Sequence, residues 1–253
     1  MIGIFDSGSG GLSVLKAIRQ VMPRADVVYF GDIKNAPYGL KTQDELSVLT
    51  EHAISLLHEE KADHIVSACN SVAASLVISL SDRIASASSD IIEMVGPTVA
   101  HFRDSSKRLA LCATPATIRS SIYQNAFQLI GQDVQYIAIA DLAGAIESGA
   151  SHTEIQDIIH TSFVGREGFD TLILACTHYP LVRQAFEKAL PRVSIFDPSM
   201  VVAERVFNAF PQEVEGSGIT RFLISQESVC FRAFVAAFFD EKTYTIEVRS
   251  SGR

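Results

Sequence analysis

Short apolar runs rich in Val, Ile and Leu alternate along this chain with longer stretches of helical periodicity. The runs are "IGIF" (2–5), "DVVYF" (26–30), "DHIVSA" (63–68), "DIIEMV" (90–95), "RLALC" (108–112), "VQYIAI" (134–139), "FDTLILA" (169–175) and "VSIF" (193–196). Between most of them the apolar positions recur at helical spacing. Leu46, Leu49, Ala53, Leu56 and Leu57 form one such stripe, with Glu45, Glu51, His52 and Glu59 off it. Alternation of this kind predicts an α/β fold, a mostly parallel sheet covered by helices on both faces. In such sheets ligands bind beyond the carboxyl ends of the strands, so the residues that follow each run carry the functional information.

Those residues are small, hydroxylated or ionisable. "DSGSGG" (6–11), "GDIKNAPYG" (31–39), "CNS" (69–71), "ATPAT" (113–117) and "CTH" (176–178) each follow an apolar run, and together they predict one assembled pocket. Two of them repeat a theme. "HIVSACNS" (64–71) and "LILACTHYP" (172–180) both end an apolar run at Ala-Cys followed by polar residues, and "FDSGSGG" and "CATPAT" are both strand-to-helix turns early in their halves. The repetition predicts two similar α/β units facing each other, related by a pseudo-twofold, with the pocket in the cleft between them. The expected division is 1–96 plus 211–253 for the first unit and 97–210 for the second.

Composition bounds the function. The chain has 253 residues, 47% of them hydrophobic, which is enough for a sizeable core. Its net charge of −8 and the scatter of its basic residues argue against a nucleic-acid partner. No apolar stretch approaches the roughly 18 residues of a membrane span, and "MIGIFD" reads as a strand with no positive segment followed by an apolar one, so no signal peptide is expected. Four cysteines, at 69, 112, 176 and 230, are too sparse for a disulfide framework. With no C-x-x-C pair, a zinc or thioredoxin-type site is disfavoured. A cytoplasmic protein with reduced thiols is expected.

The glycines of "DSGSGG" fit neither G-x-G-x-x-G nor a P-loop. Either they form an ordinary tight turn, or their amides hold an anion at a helix start near Leu12. Asp6 is a cap or a carboxylate aimed into the pocket. Thr114 before Pro115 reads as an N-cap followed by proline at the first helical position. Cys112 and Cys230 are expected to be small core residues. Cys69 and Cys176 differ, because each ends its strand where the ligand site should lie. A hydrolase needs one thiol and a redox pair needs two in contact. Two separated thiols flanking a carbon suit stereoinversion, one thiolate removing a proton while the opposing thiol donates one.

"IGIFDSGSGGLSVL", "GDIKNAPYG", "ACNS", "CATPATI" and "ACTHYPL" together resemble the glutamate racemases of the aspartate/glutamate racemase superfamily, in the family's order and over residues 2 to about 200. The closing "RFLISQESVCFRAFVAAFF" is similar to the family's last strand and helix. The resemblance implies cofactor-independent interconversion of L- and D-glutamate, the D-isomer feeding peptidoglycan synthesis, and a homodimer. It implies that Cys69 is the base toward D-glutamate and Cys176 the base toward L-glutamate, assisted by Asp6 and His178. Ser7, Tyr38, Gly39, Asn70, Ser71, Thr114, Thr117 and Thr177 then hold the substrate's carboxylates and ammonium, with Glu147 near the histidine. Two positions depart from the family: Ser71 stands where threonine is usual, losing a methyl but keeping the hydroxyl, and Ala175 stands where glycine is usual. The rival readings are a racemase of another amino acid such as aspartate, against which His178 argues, and a racemase-like binding protein without turnover.

Overall fold

The apolar runs fold into two sheets of parallel strands. The computed structural model describes residues 1–76 and 91–249. The first sheet has six strands in the order β10-β9-β2-β1-β3-β4, with β1 at Ile2–Asp6, β2 at Val27–Gly31, β3 at His64–Ser67, β4 at Ile91–Ile92, β9 at Thr220–Ile224 and β10 at Tyr244–Val248. The second has four in the order β6-β5-β7-β8, with β5 at Leu109–Ala113, β6 at Val134–Ala138, β7 at Thr171–Leu174 and β8 at Ser194–Phe196. Every recorded pairing is parallel.

The internal repetition is a repetition of topology. The order β2-β1-β3-β4 in the first sheet matches β6-β5-β7-β8 in the second. In each unit the first strand lies between the second and third, and the chain leaving the third carries a cysteine, Cys69 after β3 and Cys176 after β7. Strands β9 and β10 extend the first sheet beyond β2.

Helices cover both faces of each sheet, as strands apolar on both sides require. On one face of the first sheet, α1 (Leu12–Val21) shares a core with the strands through Leu12, Leu15 and Ile18. On the other, α2 (Gln43–Glu59) buries Leu46, Ala53 and Leu57 of its expected stripe, while Leu49 and Leu56 are only partly covered. Thr42 and Glu45 close a reciprocal capping box at its start. The second sheet is flanked by α4 (Pro115–Arg119), α5 (Ile122–Leu129), α6 (Leu142–Glu147), α7 (His152–Phe163) and α8 (Arg183–Ala189).

Two details differ from the sequence expectation. Of the run 90–95, position 90 lies outside the described residues and only Ile91–Ile92 pair as a strand. The Glu93 carboxylate accepts the Gly96 amide at 2.7 Å, and Val95 opens helix α3 (Val95–His101), so Gly96-Pro97 lies inside a helix. Further on, α9 (Ser199–Ala209) packs on α1, with Val202, Ala203 and Val206 in the first sheet's core ahead of residue 211.

Candidate active site

All the polar strand ends meet in one place. One cavity is lined by Ser7 after β1, Ala36–Gly39 after β2, Cys69–Ser71 after β3, Thr114 after β5 and Cys176–His178 after β7, with Ala143 and Glu147 from α6. Asp6 and Thr117 lie directly behind this lining and are buried. The structure thus brings together every residue that the sequence singled out for the site.

Cys69 follows β3 in extended backbone, just before a tight turn over Asn70–Val72. Its Sγ lies 3.9 Å from Ser7 Oγ. Burial, and then the charges of Asp6 and Cys176, push its pKa up to about 12, against the pull of the Ser71 amide and the Ser7 hydroxyl. At neutral pH this group is a thiol, the form that donates a proton.

The second thiol has a cation beside it. Cys176 Sγ is 4.0 Å from His178 Nδ1, and His178 Nε2 is 2.6 Å from Glu147 Oε2. Burial opposes charge on the imidazole, but Cys176 and Glu147 outweigh it and hold the ring well above its ordinary pKa. Burial likewise acts to raise Glu147, while His178 and Ser9 bring it below the usual carboxylate range. The pair is an imidazolium against a carboxylate. The ring is fixed from behind by Ser9, whose amide and hydroxyl donate to Glu147 at 2.8 and 3.0 Å.

This explains the glycines of the first turn. A Cβ on Gly8 would lie 2.6 Å from Glu147 Oε2, and one on Gly10 would lie 2.5 Å from both His178 Nδ1 and Thr177 Oγ1. The turn does hold anions with its amides, and those anions are carboxylates of the protein itself. Gly8 N–H donates to Asp6 Oδ1 at 2.9 Å and Ser9 N–H to Glu147. Asp6 ends β1 with its carboxylate turned to the site, where Thr177 Oγ1 donates to it at 2.9 Å. Burial raises its pKa, against His178 and these donors.

Hydroxyls complete the wall. Ser71 Oγ and Thr114 Oγ1 are 2.9 Å apart, and Thr114 Oγ1 is 3.1 Å from Thr117 Oγ1. Thr114 caps α4, accepting the Thr117 amide, with Pro115 at the first helical position. The Tyr38 hydroxyl is directed at Asp32, donating to Oδ2 at 2.6 Å. Cys112 is buried in the second core, and Cys230 is only half-buried on α10 (Val229–Phe238), its thiol against the Ile146 carbonyl at 3.6 Å. Sequence reasoning missed Ser9, Asp32 and Tyr123, which grip Glu147, Tyr38 and Asn70. Ser9 and Asp32 had a local signal, since both lie in polar segments that follow a strand, whereas Tyr123 lies within a helix. Among the described residues no cluster of His, Cys, Asp or Glu could hold a metal ion, and no helix is long and apolar enough to cross a membrane.

Two thiols, one from each repeated unit, line a shared cavity. The model of the Asp/Glu/hydantoin racemases matches residues 5–206. The chain belongs to the Asp/Glu/hydantoin racemase family. Within it, a glutamate racemase of Aquifex aeolicus is 34% identical over 218 residues, 85% of each chain. One of Desulforudis audaxviator is 33% identical, covering 94% of this chain and 93% of that one. The crystal structure of the Francisella tularensis glutamate racemase in complex with D-glutamate superposes with a TM-score of 0.85 at 25% identity, over 98% of this chain and 97% of that one. The racemase family's two-domain architecture therefore extends over nearly the whole molecule.

Proposed function

We propose that this chain is a glutamate racemase that interconverts L- and D-glutamate through Cys69 and Cys176, without a cofactor. The observation that carries the reading is the pair of thiols, each at the end of the third strand of its sheet, lining one cavity. Glutamate enters with its α-carbon between them. Cys176, with imidazolium at its side, takes the α-proton of L-glutamate, and Cys69, held as a thiol, protonates the opposite face. The reverse sequence converts the D-isomer. The intermediate's charge is offset by fixed donors in a site from which water is largely excluded. Asp6 serves Cys69 and His178 serves Cys176, while Ser7, Tyr38, Gly39, Asn70, Ser71, Thr114, Thr117 and Thr177 bind the carboxylates and ammonium. Glu147 orients His178.

The finer biology follows from the same reading. The enzyme works in the cytoplasm as a homodimer and supplies D-glutamate for peptidoglycan. Its domains are 1–96 plus 211–253 and 97–210, with α9 lying across to the first. Circular dichroism of the purified chain with L- or D-glutamate, and no added cofactor, tests the activity. The signal should decay to zero from either enantiomer. A constant signal with glutamate, and decay with aspartate, would overturn the substrate assignment.

A further inference from the structure

Among the polar side chains on the cavity wall, Asn70 has a half-satisfied carboxamide. It is 3% exposed and follows Cys69 directly. Its Oδ1 accepts the Tyr123 hydroxyl at 2.7 Å, while its Nδ2 is buried and finds no partner among the described residues. Asn70 lines the cavity and Tyr123 does not. Tyr123 is fully buried on α5, in the core of the second sheet beside Phe127 and Leu111. Asn70 lies in the turn that follows β3 of the first sheet and Tyr123 on a helix of the second unit, 53 positions apart.

A carboxamide whose two ends are chemically opposite can turn over, and in an anion site the two orientations have opposite effects. With Nδ2 toward the cavity it donates to a carboxylate, and with Oδ1 there it repels one. We propose that Tyr123 is a positioning residue for substrate binding: its hydroxyl pins Oδ1 of Asn70 and so presents Nδ2 to a carboxylate of the substrate beside Cys69. The proposal rests on the racemase reading for the identity of that substrate. A phenol buried in this core stays protonated through the working range, because burial, and then Glu93, act against its ionisation. It therefore always has a proton to give to Oδ1. A buried donor without a partner costs stability, and a substrate carboxylate supplies the partner Nδ2 lacks.

The test is a double-mutant cycle read in KM and kcat by circular dichroism for both enantiomers. Tyr123→Phe keeps the ring and its packing and removes only the hydroxyl. It should raise KM about tenfold with a much smaller change in kcat, on the scale of one hydrogen bond to a charged group. In an Asn70→Ala background the same substitution should change KM less than about twofold, because the group it positions is gone. An unchanged KM for Tyr123→Phe, or an equal rise in both backgrounds, would overturn the positioning role. Asn70→Asp gives a reading independent of any folding defect at Tyr123. It keeps the acceptor for Tyr123 but offers the cavity an anion, so its KM should exceed that of Asn70→Ala; a KM equal to that of the unaltered protein would overturn the proposal. Absence of turnover in the unaltered protein counts against the racemase activity, whereas normal turnover with an additive cycle counts against Tyr123 alone.

Discussion

Cys69 and Cys176 occupy similar places in two similar sheets, yet their electrostatic surroundings are opposite. Asp6 acts against ionisation of Cys69, whereas a protonated His178 lies beside Cys176. Against burial, Cys176 and Glu147 together sustain the imidazolium. In Glu147→Gln the His178 pKa should fall toward its ordinary value by at least about one unit, measurable by NMR of the labelled ring. An unshifted titration would show that Glu147 does not sustain the charge. Stability should follow with a definite sign. The His178 pKa is raised, so its contribution is full below the unfolded value of roughly 6.5 and is lost as pH climbs through the folded one. That of Glu147 is depressed, so its contribution is full above roughly 4.3 and is lost as pH falls through the folded one. The pair therefore stabilises most between those values, and thermal melts of the unaltered protein against Glu147→Gln should differ most there. At Gly10 the limit is steric. Gly10→Ala places a methyl against the His178 ring and Thr177, and should lower kcat/KM by roughly 10²-fold while far-UV circular dichroism is unchanged.

Elements show how far local sequence reaches. Strand ends were legible because an apolar run that stops at a polar residue marks both a position and a chemistry, as at Cys69 and Cys176. The start of α4 was legible for the same reason, since Thr114-Pro115 is a cap written in adjacent residues. The pins behind the site were not. Ser9 meets Glu147 across 138 positions and Tyr123 meets Asn70 across 53, and no period of 2 or 3.6 encodes such a meeting. The shortened β4 reflects a local competition in which the Glu93 carboxylate caps the next turn and ends a run that apolarity alone would continue. Distance from the site also separates stability from turnover. Thr42→Ala removes the exposed capping box of α2 and should cost about 1 kcal/mol, seen as a lower Tm with kcat/KM intact. Cys112→Ala, buried in β5, should cost on the order of 1 kcal/mol and likewise spare turnover. Lost turnover in a folded Cys112→Ala protein would contradict the assignment of the two reacting thiols.

The whole molecule is a four-strand arrangement used twice, β2-β1-β3-β4 and β6-β5-β7-β8, with two further strands on the first copy. Its consequence is positional, because the repeat places a cysteine after the third strand of each copy, and both line one cavity. The residues around that cavity offer thiols, hydroxyls and carboxylates already engaged with one another, so racemisation should persist after exhaustive EDTA treatment and without pyridoxal phosphate. Activity lost on chelation and restored by a metal would contradict this. The two-thiol mechanism itself is tested most directly in deuterium oxide, by NMR of deuterium at the α-carbon during early turnover. Starting from either pure enantiomer, the product should carry deuterium from the first turnovers, since the donating thiol exchanges with solvent, while recovered substrate gains much less. Cys69→Ser and Cys176→Ser should each reduce net racemisation by roughly 10²- to 10⁴-fold or more with the fold kept. Equal early deuterium in substrate and product, or full racemisation by either single variant, would contradict a proton passed between two thiols on opposite faces of one carbon.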